Sequence, residues 1–153
     1  MAFFVKGFFI SFVLFYGLMP VASSAVKNER LQIKTVSNYD YHTTRLRLLK
    51  SVEQNGLVLF GEFDHAKAAQ DKGLQMPPTS VLIFGNPKGG TPLMLDHPEL
   101  ALDLPFRVLI SQQRDGVVFV SYHPSEDFLA YGLDTRDIEP FKKLELLVQN
   151  AIK

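Results

Sequence analysis

The residues with chemistry to offer gather at two places along the chain. Asp64 and His65 stand together where an apolar run ends. A carboxylate beside an imidazole is a minimal acid-base pair, because the imidazole changes charge near physiological pH and the carboxylate orients it. Asn86, Lys88 and Thr91 lie in Phe84-Gly85-Asn86-Pro87-Lys88-Gly89-Gly90-Thr91-Pro92, whose amides, ammonium and hydroxyl suit capture of a small anion or carboxylate. Asp103 joins them as a ligand-binding candidate, and with Arg107 it brackets Leu104-Pro105 as an ion pair. Each group also has a plainer role. Asp64 reads equally as a helix cap worth about 1 kcal/mol, Asn86 as a turn former, and Asp103 with Arg107 as a structural pair.

Other chemistries fit less well. Gly85 and Gly90 have the separation of a phosphate loop, but Thr91 stands where the lysine belongs, and Pro87 and Pro92 remove two donors. His42, His65, His97 and His123 are scattered without metal-ligand spacing, which leaves a meeting of Asp64, His65 and Asp103 in space as the route to a metal. No metal and no cofactor are expected. Ser121, Ser125 and Thr91 lack the glycine-flanked elbow of a hydrolase nucleophile. With no cysteine at all, the chain has no thiol nucleophile, thiolate metal site or disulfide framework.

The first 25 residues set the compartment. Lys6 is their one charge, Gly7 to Met19 is apolar, and small residues close the segment at Ser23-Ser24-Ala25. That is the pattern of a cleaved secretory signal peptide, with the cut after Ala25, and the apolar core is shorter than the roughly 20 residues of a spanning helix. The expectation is therefore a periplasmic protein, 26–153, of one domain, with no membrane attachment after cleavage. The whole chain carries 16 basic and 16 acidic residues, so losing Lys6 leaves a net charge of about −1. A nucleic-acid partner would select a basic stripe, and none is present.

The elements that must position these residues follow from periodicity. Leu31 to Val36 alternates as a half-buried strand, and Asn38 or Asp40 caps a helix that Asn55-Gly56 ends. Leu57 to Phe63 is apolar at nearly every position, which predicts a central strand with a bulge or close approach at Gly61. Asp64 caps a short helix that stops at Gly73, and Met76-Pro77-Pro78 turns into the strand Val81 to Phe84. Thr91 and Pro92 read as cap and first helical residue of a helical turn over Leu93 to Asp96, with a second at Pro98 to Leu102. Phe106 to Ile110 and Val117 to Tyr122 form a hairpin through Asp115-Gly116. Ser125 caps a short helix, and Ile138, Phe141, Leu144, Leu147, Val148 and Ala151 mark one face of a terminal helix. This order predicts an α+β fold, a mainly antiparallel sheet with helices on one face, β-α-β-β-β-β-α with short helical insertions.

Phe63-Asp64-His65-Ala66, Pro78-Thr79, Phe84-Gly85-Asn86-Pro87, Thr91-Pro92-Leu93-Met94, Leu102-Asp103-Leu104-Pro105 and Ser121-Tyr122 together resemble the DUF302 family over nearly all of the mature chain. The resemblance implies a TATA-binding-protein-like arrangement and a homodimer, and it implies no particular reaction. Three readings follow. The first is a dimeric envelope module binding a small or anionic ligand near Asp64, His65, Asn86, Lys88 and Thr91. The second is an enzyme using Asp64 and His65 as acid and base. The third is a partner-binding protein with a bare apolar sheet face.

Overall fold

A computed structural model describes residues 32–153. The expected signal peptide and Leu31 lie outside them. Alternation gives strand β1 at Ile33–Val36, and Asp40 then caps helix α1 at Tyr41–Gln54, its carboxylate accepting from the Thr43 amide at 2.8 Å. After Asn55-Gly56, with Gly56 at φ +64°, come β2 at Val58–Asp64 and a short α2 at His65–Gln70. Next are β3 at Thr79–Gly85, α3 at Pro87–Asp96 and a 3-10 helix at Pro98–Leu102. The hairpin β4, Phe106–Gln112, and β5, Val118–Tyr122, turns at Asp115-Gly116, where the Asp115 side chain accepts from the Val117 amide at 3.1 Å. A second 3-10 helix at Ser125–Tyr131 leads into α4 at Thr135–Ala151.

The five strands form one antiparallel sheet in the order β1-β5-β4-β3-β2. The α+β fold expected from the sequence is the fold observed. β1 and β2 are the two edges, and α1 carries the chain between them. A 14-residue helix rises about 21 Å, close to the roughly 19 Å that four strand spacings demand. Leu48 and Val52 of α1, with Val148 and Ala151 of α4, pack on alternate residues of the sheet: Leu82, Phe84, Phe106, Val108, Ile110, Val120. Phe106 stacks edge-on against Phe84, ring centres 5.7 Å apart, and lies 5.5 Å from Tyr122. A second apolar cluster joins Leu100, Leu104, Phe128, Leu133, Ile138 and Phe141, and Leu144 packs against both. Between them, the buried Glu145 of α4 accepts the Ser125 amide at 2.6 Å.

Three local expectations need correction. β2 is an edge strand and not a central one, with Phe60 52% and Phe63 60% exposed. Its apolar run fills no second layer; the bulge between Leu59 and Gly61 pushes Phe60 off the ladder. Thr91 and Pro92 do not open a helix. They lie inside α3, which starts at Pro87 with Asn86 as its cap, because Asn-Pro is itself a cap followed by a first-turn proline. Gly89 and Gly90 do not have positive φ and simply continue the helix. Ser125 is not a cap either: Pro124 holds that position and no side chain caps the turn.

The sheet face away from α1 and α4 carries an apolar patch toward the β2 edge, bordered by the polar Lys34, Ser121, Ser111, Thr79 and Arg107. Register puts Ser121, Leu109, Val81 and Phe63 in one row beside Lys34, with Val36, Phe119 and Ile83 flanking it. The Lys34 ammonium lies 4.0 Å from the Phe119 ring centre.

Candidate functional site

β3 separates the two clusters of candidate residues, one at each end. Asp64 pairs with Ser80 where β3 begins, whereas Asn86 follows Gly85, which pairs with Val58 where it finishes. Five residues of strand put about 17 Å between them. The single pocket expected from Asp64, His65, Asn86, Lys88 and Thr91 is therefore not assembled.

At the first end, Asp64 is a cap. Its Oδ1 accepts the Lys67 amide at 2.8 Å, and both Asp64 and His65 are exposed. Burial pushes the half-buried Tyr41 phenol above its usual range, and the nearby Asp64 and Glu62 carboxylates push it further the same way. That phenol stays protonated at neutral pH and offers no base. Glu62 is itself tied to Arg45, which donates from Nε at 2.6 Å and Nη2 at 2.5 Å; the carboxylate raises the guanidinium's pKa.

At the second end, the start of α3 is closed to anions. The Asn86 side chain accepts the Lys88 amide at 3.0 Å, the Asn86 carbonyl accepts the Gly89 and Gly90 amides at 3.0 and 2.9 Å, and Pro87 has no N–H. No first-turn donor remains for a phosphate or carboxylate. Lys88 and Thr91 are exposed on α3. Asp103 lies at this end too, on the chain leading to Phe106, the partner of Phe84. Its carboxylate accepts the Tyr131 hydroxyl at 2.5 Å, and Arg107 donates to the Leu102 carbonyl at 2.7 Å. With Arg107, His123 and Asp127, Asp103 borders a recess of about 30 Å³, room for one water. Asp64, His65 and Asp103 thus do not meet, and among the described residues no three His, Asp or Glu side chains converge as metal ligands.

What the second end does hold is a cleft of about 300 Å³ between α3, α4 and the Gly85 end of the sheet. Its walls are hydrocarbon: Phe60 from the β2 bulge, Leu93 and Met94 from α3, Leu104 ahead of β4, Phe141 and Leu144 from α4. The glycines of the Phe84 to Pro92 stretch serve the cleft by the side chains they lack. A Cβ on Gly85 would sit 3.7 Å from Pro105 and 3.9 Å from the Phe60 ring, and one on Gly90 would sit 3.9 Å from Leu104 and Met94. Polar side chains reach the lining from Asn55, Asn86 and Lys143. Lys143 is in none of the ion pairs among the described residues.

Of the candidate residues, Asn86 alone borders this cleft. Sequence reasoning missed Phe60, Gly90, Leu144 and Lys143. Two signals were available: Asn86-Pro87 as a helix start, which turns Gly90 inward, and Leu144 and Leu147, which sit at one edge of the apolar face that Ile138, Phe141 and Val148 share.

Among the described residues no helix is long and apolar enough to cross a membrane. The fold is similar to the crystal structure of an uncharacterized conserved protein DUF302 from Bacillus stearothermophilus, with a TM-score of 0.65 at 19% identity over 79% of this chain and 94% of that one. Among curated proteins, the chain is 36% identical over 85 residues to Fluoride-specific ion channel FluC 1 of Brucella suis biovar 1, which is 56% of this chain and 34% of that protein. The same identity over 85 residues holds for Fluoride-specific ion channel FluC 1 of Brucella abortus biovar 1, 32% of whose length is covered. The chain spans about a third of the length of these curated relatives. The family model described as Domain of unknown function DUF302 matches residues 33–151, and the chain belongs to that family.

Proposed function

We propose that this domain is a binding module for a small, largely apolar molecule held in the cleft between α3 and α4. The observation that carries the reading is the cleft itself, about 300 Å³ and walled by hydrocarbon, a volume at the lower end of ligand pockets. Its one ionisable lining side chain is Lys143, which suits retention better than acid-base chemistry. The enzyme reading needed Asp64 and His65 to face the Asn86 loop, and they stand at the opposite end of β3. A fluoride ion would neither fill nor favour an apolar cleft of this size. Beside a channel such as those named for the Brucella relatives, the module's role is therefore accessory. Lys6, the apolar Gly7 to Met19 and the small residues through Ala25 support export to the periplasm.

The test is native mass spectrometry of gently purified protein, comparing the wild type with Gly90→Leu, whose added side chain enters the cleft. Wild type should carry an excess mass shed on mild activation and the variant should not. A variant that folds and retains the same excess mass overturns the reading.

A second copy on the bare sheet face is the other part of the proposal. The row Leu109, Val81, Phe63 supports it, since a two-fold axis through the sheet would lay these side chains on their own equivalents. Sedimentation of wild type against Leu109→Asp tests it; a dimer indifferent to the aspartate would place the interface elsewhere.

A further inference from the structure

We propose that the cleft takes a linear monoanion, an apolar chain of about ten heavy atoms whose terminal carboxylate pairs with Lys143. The inference rests on the reading of the cleft as a binding site and adds the chemistry of what fills it.

Volume sets the length. At roughly 30 Å³ for each water-sized group, 300 Å³ accommodates about ten of them. The walls set the body, since Phe60, Leu93, Met94, Leu104, Phe141 and Leu144 offer no hydrogen bond along the length of the cleft. A sugar or nucleotide there would leave its hydroxyls unpaired, whereas a methylene chain leaves nothing unpaired.

The rim sets the head group. Asn55 spends its amide on the Ser51 carbonyl at 2.8 Å, and Asn86 spends its side-chain oxygen on the Lys88 amide at 3.0 Å. The first-turn amides of α3 are also taken, so the helix start cannot receive an anion. Lys143 is left as the one cation of the lining. Glu139, one turn earlier on α4, is not ion-paired with it. One ammonium matches one unit of negative charge. A phosphate dianion calls for several donors, usually an arginine fork or a run of amides, and a cationic head would be repelled.

The experiment is titration calorimetry on the full chain with three probes of equal length, decanoate, decanol and decyltrimethylammonium, each below its aggregation threshold. Wild type should bind decanoate best and the ammonium least. Lys143→Gln should weaken decanoate about fivefold, the ratio expected of an exposed ion pair, and leave decanol unchanged. Gly90→Leu, confirmed folded by its thermal transition, should lose decanoate and decanol together. Equal binding of decanoate and decanol with an inert Lys143→Gln overturns the monoanion and leaves the cleft standing. If neither decanoate nor decanol binds, or if Gly90→Leu binds both as wild type does, the cleft reading falls as well.

Discussion

Replacing Gly90 by alanine should stabilise this protein, and the sign of that effect tests how the Phe84 to Pro92 stretch is built. Gly90 is the fourth residue of α3, and its φ is not positive. A methyl group there meets nothing closer than the Leu104 and Met94 side chains at 3.9 Å, ordinary contact distance. Glycine in a helix interior costs about 1 kcal/mol relative to alanine, chiefly through backbone entropy, so Gly90→Ala gains about that much. In a domain of this size that raises Tm by about 3 °C. Gly89→Ala, in the first turn and with open space around it, should add a smaller increment. Gly56→Ala is the control of opposite sign. Its φ of +64° is left-handed, and a Cβ there costs about 1–2 kcal/mol, a fall of about 3–6 °C. The assay is a thermal melt followed by far-UV circular dichroism, with calorimetry to confirm a single transition. If Gly90→Ala falls as Gly56→Ala does, the stretch is a glycine-shaped loop, α3 starts only near Thr91, and the cleft loses one of its walls.

Further outcomes are expected. Glu62→Gln removes the two-pronged contact with Arg45, whose side chains are 30% and 20% exposed, and should cost about 1 kcal/mol in urea unfolding. Glu145→Ala strands the Ser125 amide and opens a gap in α4's buried side; a loss of about 2–3 kcal/mol is expected. Asp40 caps α1 with its pKa held below the ordinary 3.8, first by the Thr43 amide. Its contribution is therefore complete above pH 3.8 and disappears as acid drives the pH down through the folded value. Asp40→Asn keeps a cap that does not titrate, so melts between pH 2.5 and 6 should fall less steeply below pH 3.8 than those of wild type. Phe63→Ser should leave Tm near wild type, since the ring is 60% exposed, while weakening self-association measured by sedimentation.

Strand and helix types were legible because their signals are local. Ile33 to Val36 alternates, Asp115-Gly116 turns a hairpin, and the stripe from Ile138 to Ala151 buries on one side of α4. Gly61 announced its bulge correctly, but the run around it gave the wrong place in the sheet. Position in a sheet is decided by which strands pair, and nothing in Val58 to Phe63 encodes that β2 has one neighbour. The same holds for the site. Asp64 and Asn86 both looked chemical, and each is chiefly a cap satisfying backbone amides. Their separation by the length of β3 is a property of antiparallel register, visible only once β2 and β3 are aligned. Leu144 read as part of a core face and Lys143 escaped notice, because a cleft lined with leucine, methionine and phenylalanine has the composition of a core.

Leu144 touches both apolar clusters, and the cleft runs along their seam. One unit is the sheet with α1 and the end of α4. The other is built from α3, the two 3-10 helices and the beginning of α4, and it meets the sheet through few strand contacts. Amide exchange should therefore come in two tiers, with Leu100, Leu104 and Phe128 exchanging before Leu82, Val108 and Val120. An occupant lodged in the seam belongs to both units at once. Its arrival would slow exchange on the weaker side alone, and its departure needs only that side to loosen while every strand stays paired.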